Sequence, residues 1–291
     1  MKNPMYCTVP AAVVLAAVVA CGASAQSAVA VASQAATIQT PGPNATPAVD
    51  ATAGSQPHGK RGNSGPSLPT PRTSDGKPDF SGTWAGGGGD INKDLPGQTL
   101  PYTPAGQTAY QDNLTKAPDP QSLCILVGEP RADTDGYPFE IVQSPTRVAF
   151  LYERDSSWRL VPLDGSKHPD DPEPTFFGDS VAHWDGDTLV VDVVALKGEK
   201  VWSDNDAHPH SDALHLVEKW TRPDHEHLVL ALTIDDPKFY SHPFTYTRRL
   251  KLQKFEPAEF ACDENNIDRD HLGPGLGTKN GHRGYDPLPS K

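Results

Sequence analysis

Positive charge is what this 291-residue sequence most lacks: 25 Lys and Arg stand against 37 Asp and Glu, for a formal net charge of −12. Nucleic-acid phosphates are held by clustered Lys and Arg. No basic stripe occurs, so no nucleic-acid partner is expected and the acidity reads as a solubility feature. Long hydrophobic runs are missing too. The apolar stretch Val9–Ala20 is shorter than the roughly 20 residues a bilayer span needs, so no transmembrane segment is expected in the mature chain. Cysteine is scarce, at 4 residues, which excludes a disulfide-dense mini-protein.

What is present at the start looks like an export signal. Lys2, the apolar run and Ala23-Ser24-Ala25 fit a signal peptide over 1–25, cleaved after the small residues. Val18-Val19-Ala20-Cys21-Gly22 offers an alternative, with Cys21 lipidated as an anchor. A periplasmic or secreted location follows as an expectation. In that oxidising setting Cys124 and Cys262, the two cysteines outside the signal, are expected to pair.

Residues 26–74 are rich in Ala, Pro and Ser and poor in bulky apolar side chains. They cannot bury enough surface to offset their ordering entropy, and read as a disordered linker. Residues 75–262 carry nearly all the aromatics and form one domain, followed by an irregular tail over 263–291. Period-two alternation dominates from residue 138, each run stopping at turn chemistry, as in antiparallel strands joined by hairpins. The expected strands are 138–143, 146–153, 158–162, 180–184, 187–194, 212–222, 226–234 and 245–253. Asp185-Gly186 is the two-residue hairpin signal of a type I′ turn. One short helix is expected over 103–114, where Thr103 can cap and Pro104 suits the first position. The fold class is therefore mainly β: an antiparallel up-and-down barrel, with a β-sandwich as the alternative.

Phe80-Ser81-Gly82-Thr83-Trp84 resembles the first strand of lipocalin and calycin barrels. The resemblance implies that Trp84 plugs one end and packs under an Arg from a late strand, Arg248 or Arg249. A wider resemblance runs through Pro78–Trp84, Gly178–Val181, Trp184–Val191, Pro209–His215, Thr233–Lys238 and Cys262–Asn266. It is to a family of hypothetical exported bacterial proteins; it implies export and the domain's extent and carries over no catalytic residue. Gly178-Asp179-Ser180 with Asp268–His271 superficially resembles a serine esterase family, but Ser180 enters a β-hairpin instead of a helix-rich α/β domain.

The chemistry concentrates in Trp202–His215. If strand conformation reaches back to His208, then His208, His210 and Asp212 share one face and His215 takes the other. His210 and Asp212 are candidate catalytic residues for proton transfer, and Trp202, Asp204, His208 and His215 candidate ligand contacts. No cofactor is expected; the alternative is a divalent metal on His208, His210 and Asp212. The competing explanation is that these polar groups merely solvate a turn. The functional expectation is an exported protein binding a small-molecule ligand. The alternatives are a periplasmic hydrolase or lyase using a His/Asp site in 202–215, and a tethered envelope interaction protein.

Overall fold

The alternation in the second half of the chain builds one continuous sheet. In the computed structural model the described residues are 67–266, apart from Gly87, Gly89, Pro96, Glu199 and Asn265. The expected signal, Cys21, the linker through residue 66 and the tail from 267 lie outside them. Among the described residues nine strands form: β1 (Gly82–Ala85), β2 (Phe139–Gln143), β3 (Arg147–Tyr152), β4 (Trp158–Pro162), β5 (Asp179–Asp185), β6 (Thr188–Val194), β7 (His215–Thr221), β8 (His227–Asp235) and β9 (Phe244–Leu252). Their order is β4-β3-β2-β1-β9-β8-β7-β6-β5, each neighbour antiparallel. The sheet curls until its two edges, β4 and β5, lie side by side. The result is the expected up-and-down barrel, nearly closed.

The seam has a topological cause. Nine is odd, so a ring in which all other neighbours are antiparallel must leave β4 and β5 running the same way. Parallel neighbours need a long crossover, and residues 163–178 supply it. The same meander puts the short turns after β2, β5 and β7 at one end. The long connections 86–138, 195–214 and 236–243 gather at the other. Function concentrates on such connections when a rigid scaffold holds them.

Inward side chains are apolar on every second position, most regularly along β6 and β8. Phe150 lies 5.4 Å from Trp220 and 6.2 Å from Phe139, ring centre to ring centre, and all three rings are buried. These aromatics fill the mid-barrel with side chains. Trp84 is buried and donates its indole N–H to Phe80 O. The Arg that packs on it is neither Arg248 nor Arg249. It is Arg222, with its guanidinium 4.8 Å from the ring centre, held by the carbonyls of Asp79 and His225. Arg248 instead points into the barrel and pairs with Asp94 at 2.9 Å.

The expected helix is α2 (Pro104–Lys116), with Thr103 accepting from Gly106 N at the cap. Two single turns, α1 (Ile91–Asp94) and α3 (Arg131–Thr134), also form; each is too short to leave a periodic stripe. The β5–β6 loop is Gly186-Asp187, since Asp185 pairs with Thr188. Only Gly186 takes positive φ, at 58°, which matches a II′ turn better than I′. Residues 67–74, assigned by composition to the linker, touch the barrel: Thr70 donates to Arg222 O, and Arg72 pairs with Asp187. Cys124 and Cys262 form the expected disulfide, with Cα atoms 5.4 Å apart.

Candidate functional site

Between β6 and β7 the chain does not run as a strand. β7 starts at His215, and the expected strand over 212–222 is cut short. The reason is Asp236, which is buried and accepts from Ser211 N at 2.6 Å and from Ser211 Oγ at 2.7 Å. These bonds hold residue 211 away from the ladder, and a turn at 211–214 follows. His208, His210 and Asp212 therefore do not share a strand face.

Burial decides between the solvated-turn reading and its rivals. Trp202, Ser203, Asp204, Ala207, His208 and His210 are each 2% exposed or less, so this polar segment is interior. Asp204 organises it, accepting from Ile91 N, Asp206 N and His208 N. It also meets His208 Nδ1 at 2.6 Å. Burial opposes charge on both groups, yet their mutual attraction prevails, so the Asp204 carboxyl is shifted down and His208 up. The other His208 nitrogen meets Asn92 at 3.0 Å, and its ring stacks on Tyr110 at 5.0 Å. Asp204 and His208 are thus fully engaged in tying the segment to α1 and α2.

His210 is different. Its flanking residues are pinned on both sides, Pro209 O by the Tyr240 hydroxyl at 2.7 Å and Ser211 by Asp236. Its Nδ1 lies 3.3 Å from Ser211 O. A carbonyl only accepts, so in this contact Nδ1 carries the proton and Nε2 keeps its lone pair, itself buried. Burial pushes this imidazole's pKa down and keeps it neutral. Nε2 has no hydrogen-bond partner among the described residues, a state that costs about 1–3 kcal/mol when nothing satisfies it.

The ring lines a cavity of about 400 Å³ whose walls include Ala109, Leu123, Ile125, Val201, Trp202 and Phe239. A second cavity of about 710 Å³ shares Ile125, Gly198, Lys200 and Phe239 with the first and adds Phe176, Lys197, Asp212 and Lys238. The two are neighbours and form a cleft region in the size range of small-molecule sites, mostly apolar in the smaller cavity and, among the described residues, with three lysines and one aspartate around the larger. Two glycines let its walls close. A Cβ on Gly198 would stand 2.1 Å from Asp212 N, and one on Gly106 2.0 Å from Phe239 O.

The remaining expected site residues fall elsewhere. Asp212 is exposed and ion-paired with Lys238, with no hydrogen bond to His210, although both border the cleft. His215 sits on the outer face of the sheet against Asp192, which His168 also contacts. Trp202 lines the smaller cavity and lies 5.9 Å from the Arg131 guanidinium. Asp236 and Tyr240, the anchors of His210, are not singled out by the sequence. Asp236-Pro237 is a visible turn signal; nothing marks its partner as Ser211.

A second polar group lies inside the barrel. Glu129, Asp133 and Glu218 bring carboxylate oxygens within 4.8 Å of one another, as a metal site would. The cation position is occupied by the guanidinium of Arg159, which lies 2.6 Å from Glu218, 3.0 Å from Asp133 and 3.5 Å from Glu129. The set fits that planar donor fork. The Tyr152 hydroxyl sits 2.9 Å from Glu129 and 2.8 Å from Asp133. A phenol donates one hydrogen bond, so one of these two carboxyls carries a proton and donates in return.

No protein-family model matches the chain, and no curated protein matches it either.

Proposed function

We propose that the chain is an exported small-molecule-binding protein whose ligand seats in the cleft at the long-loop end, outside the side-chain-filled barrel. The observation that carries this is the pair of cavities at that end, of about 710 and 400 Å³, which share Ile125, Gly198, Lys200 and Phe239 in their walls, with the buried His210 on the wall of the smaller one. Export is supported by the signal-like N-terminus and agrees with the disulfide. A hydrolase or lyase using His210 with Asp212 gains no support, because the carboxylate is engaged by Lys238 at the surface.

Filling the smaller cavity tests the reading. Ala109 lies on α2 at the cavity wall, and Ala109→Trp places an indole in the ligand's space without touching the barrel interior. Native mass spectrometry of the full mature chain, exposed to a mixture of small amphiphilic organic acids, is expected to show a bound mass in wild type and none in the variant. A variant that retains the ligand, or a wild type that takes none, contradicts the reading.

A further inference from the structure

The outer face of the sheet carries a groove that shares no lining residue with the cleft. Glu140, Leu151 and Trp158 are direct cross-strand neighbours on β2, β3 and β4, so their side chains leave the same face in one row. Trp158 is 61% exposed and Leu151 38%, whereas Trp84, Trp202 and Trp220 are buried. The chain after β9 returns beside this row and is fastened there. Ala258 N donates to Glu153 at 2.9 Å, Ser156 Oγ donates to Phe260 O at 3.2 Å, and the Cys124–Cys262 disulfide holds the far end. Row and returning chain enclose about 360 Å³.

The charge of this groove is one-sided. Glu140, Glu256 and Glu259 line it and no Lys or Arg does; every residue of the two segments that build it, 139–162 and 252–264, is described. None of the three carboxylates has an ion pair or a side-chain hydrogen bond among the described residues. Nor do they converge on a point: among the described residues the only set of His, Cys, Asp or Glu close enough to share a metal ion is Glu129, Asp133 and Glu218. A spread of negative charge suits a large, diffuse cation, and an exposed indole is the ring face that attracts such cations most. We propose that this groove is a second ligand site and takes a small methylated ammonium ion, its methyl groups against Trp158 and Leu151 and its charge balanced by Glu140, Glu256 and Glu259.

The test is calorimetric titration of the full mature chain with choline, with 3,3-dimethyl-1-butanol, in which carbon replaces the charged nitrogen, and with maltose. Choline is expected to bind about tenfold more tightly than the alcohol, and maltose not at all. Trp158→Leu keeps an apolar side chain but removes the ring face, and Glu256→Gln with Glu259→Gln keeps the shape but removes two charges. Each change is at an exposed position, and each should weaken choline binding by about threefold or more. In wild type, choline should move the Trp158 indole N–H resonance and leave that of Trp202 in place, a readout that needs no variant to fold. Ala109→Trp in the cleft should bind choline as wild type does, so this site and the cleft are tested separately. Equal binding of choline and the alcohol overturns the cation, as does maltose bound in its place; absence of choline binding, or a shift at Trp202 instead of Trp158, overturns the site.

Discussion

Replacing Glu129 with glutamine tests the protonated carboxyl pair inside the barrel. Burial of Glu129, only partly offset by Arg159, pushes its carboxyl from the ordinary 4.5 up to about 7. Burial and the charge of Glu129 push Asp133 the same way. Between those limits the folded chain keeps a proton that the unfolded chain has released. The associated stability is fully present below about pH 4.5 and is lost as pH rises through about 7. At about 1.36 kcal/mol per pH unit of displacement, the move from 4.5 to about 7 corresponds to about 3 kcal/mol. A glutamine amide at this position mimics the neutral acid and has no proton to lose. Urea unfolding of both proteins from about pH 4 to 8 should therefore show wild type losing about 3 kcal/mol relative to Glu129→Gln, with the change centred between about pH 5 and 7. Parallel stability curves would refute the shared proton and the account of the Tyr152 contacts.

Two further outcomes follow from the walls of the cleft. Gly198→Ala sets a methyl against the backbone of Ser211 and Asp212, so the two backbones must move apart; stability should fall by about 1–3 kcal/mol and ligand affinity at least tenfold, by chemical denaturation and calorimetry. Reducing Cys124–Cys262, which closes a loop of 138 residues and sits beside Ile125 of the cavity wall, should cost about 2–4 kcal/mol. Coincident unfolding midpoints with and without reductant would contradict that.

Local signals carried much of the barrel. β8 and β6 alternate so regularly that their inward faces can be read directly, and Thr103-Pro104 marks the start of α2. The misreadings share a cause: a bond between residues far apart in sequence. Ser211 meets Asp236 and cuts off the strand expected from 212, and Arg222 reaches Trp84 from the turn after β7. The Arg159 cluster draws on residues between 129 and 218, each of which alone looks like ordinary surface charge. His210 stood out because two imidazoles and three carboxylates crowd a few residues. Its burial, its tautomer and the loss of Asp212 as a partner depend on packing that no local pattern encodes.

The claim that matters most is the location of the ligand at the loop end, outside a filled barrel. The five tryptophans report on it directly, because Trp202 lines the cleft while Trp84 and Trp220 lie within the barrel core. Indole N–H resonances of the full mature chain should be followed during titration with the same mixture of small amphiphilic organic acids. A saturable shift at Trp202 with Trp84 and Trp220 unmoved is the expected result; shifts centred on Trp84 or Trp220, with Trp202 silent, would contradict it.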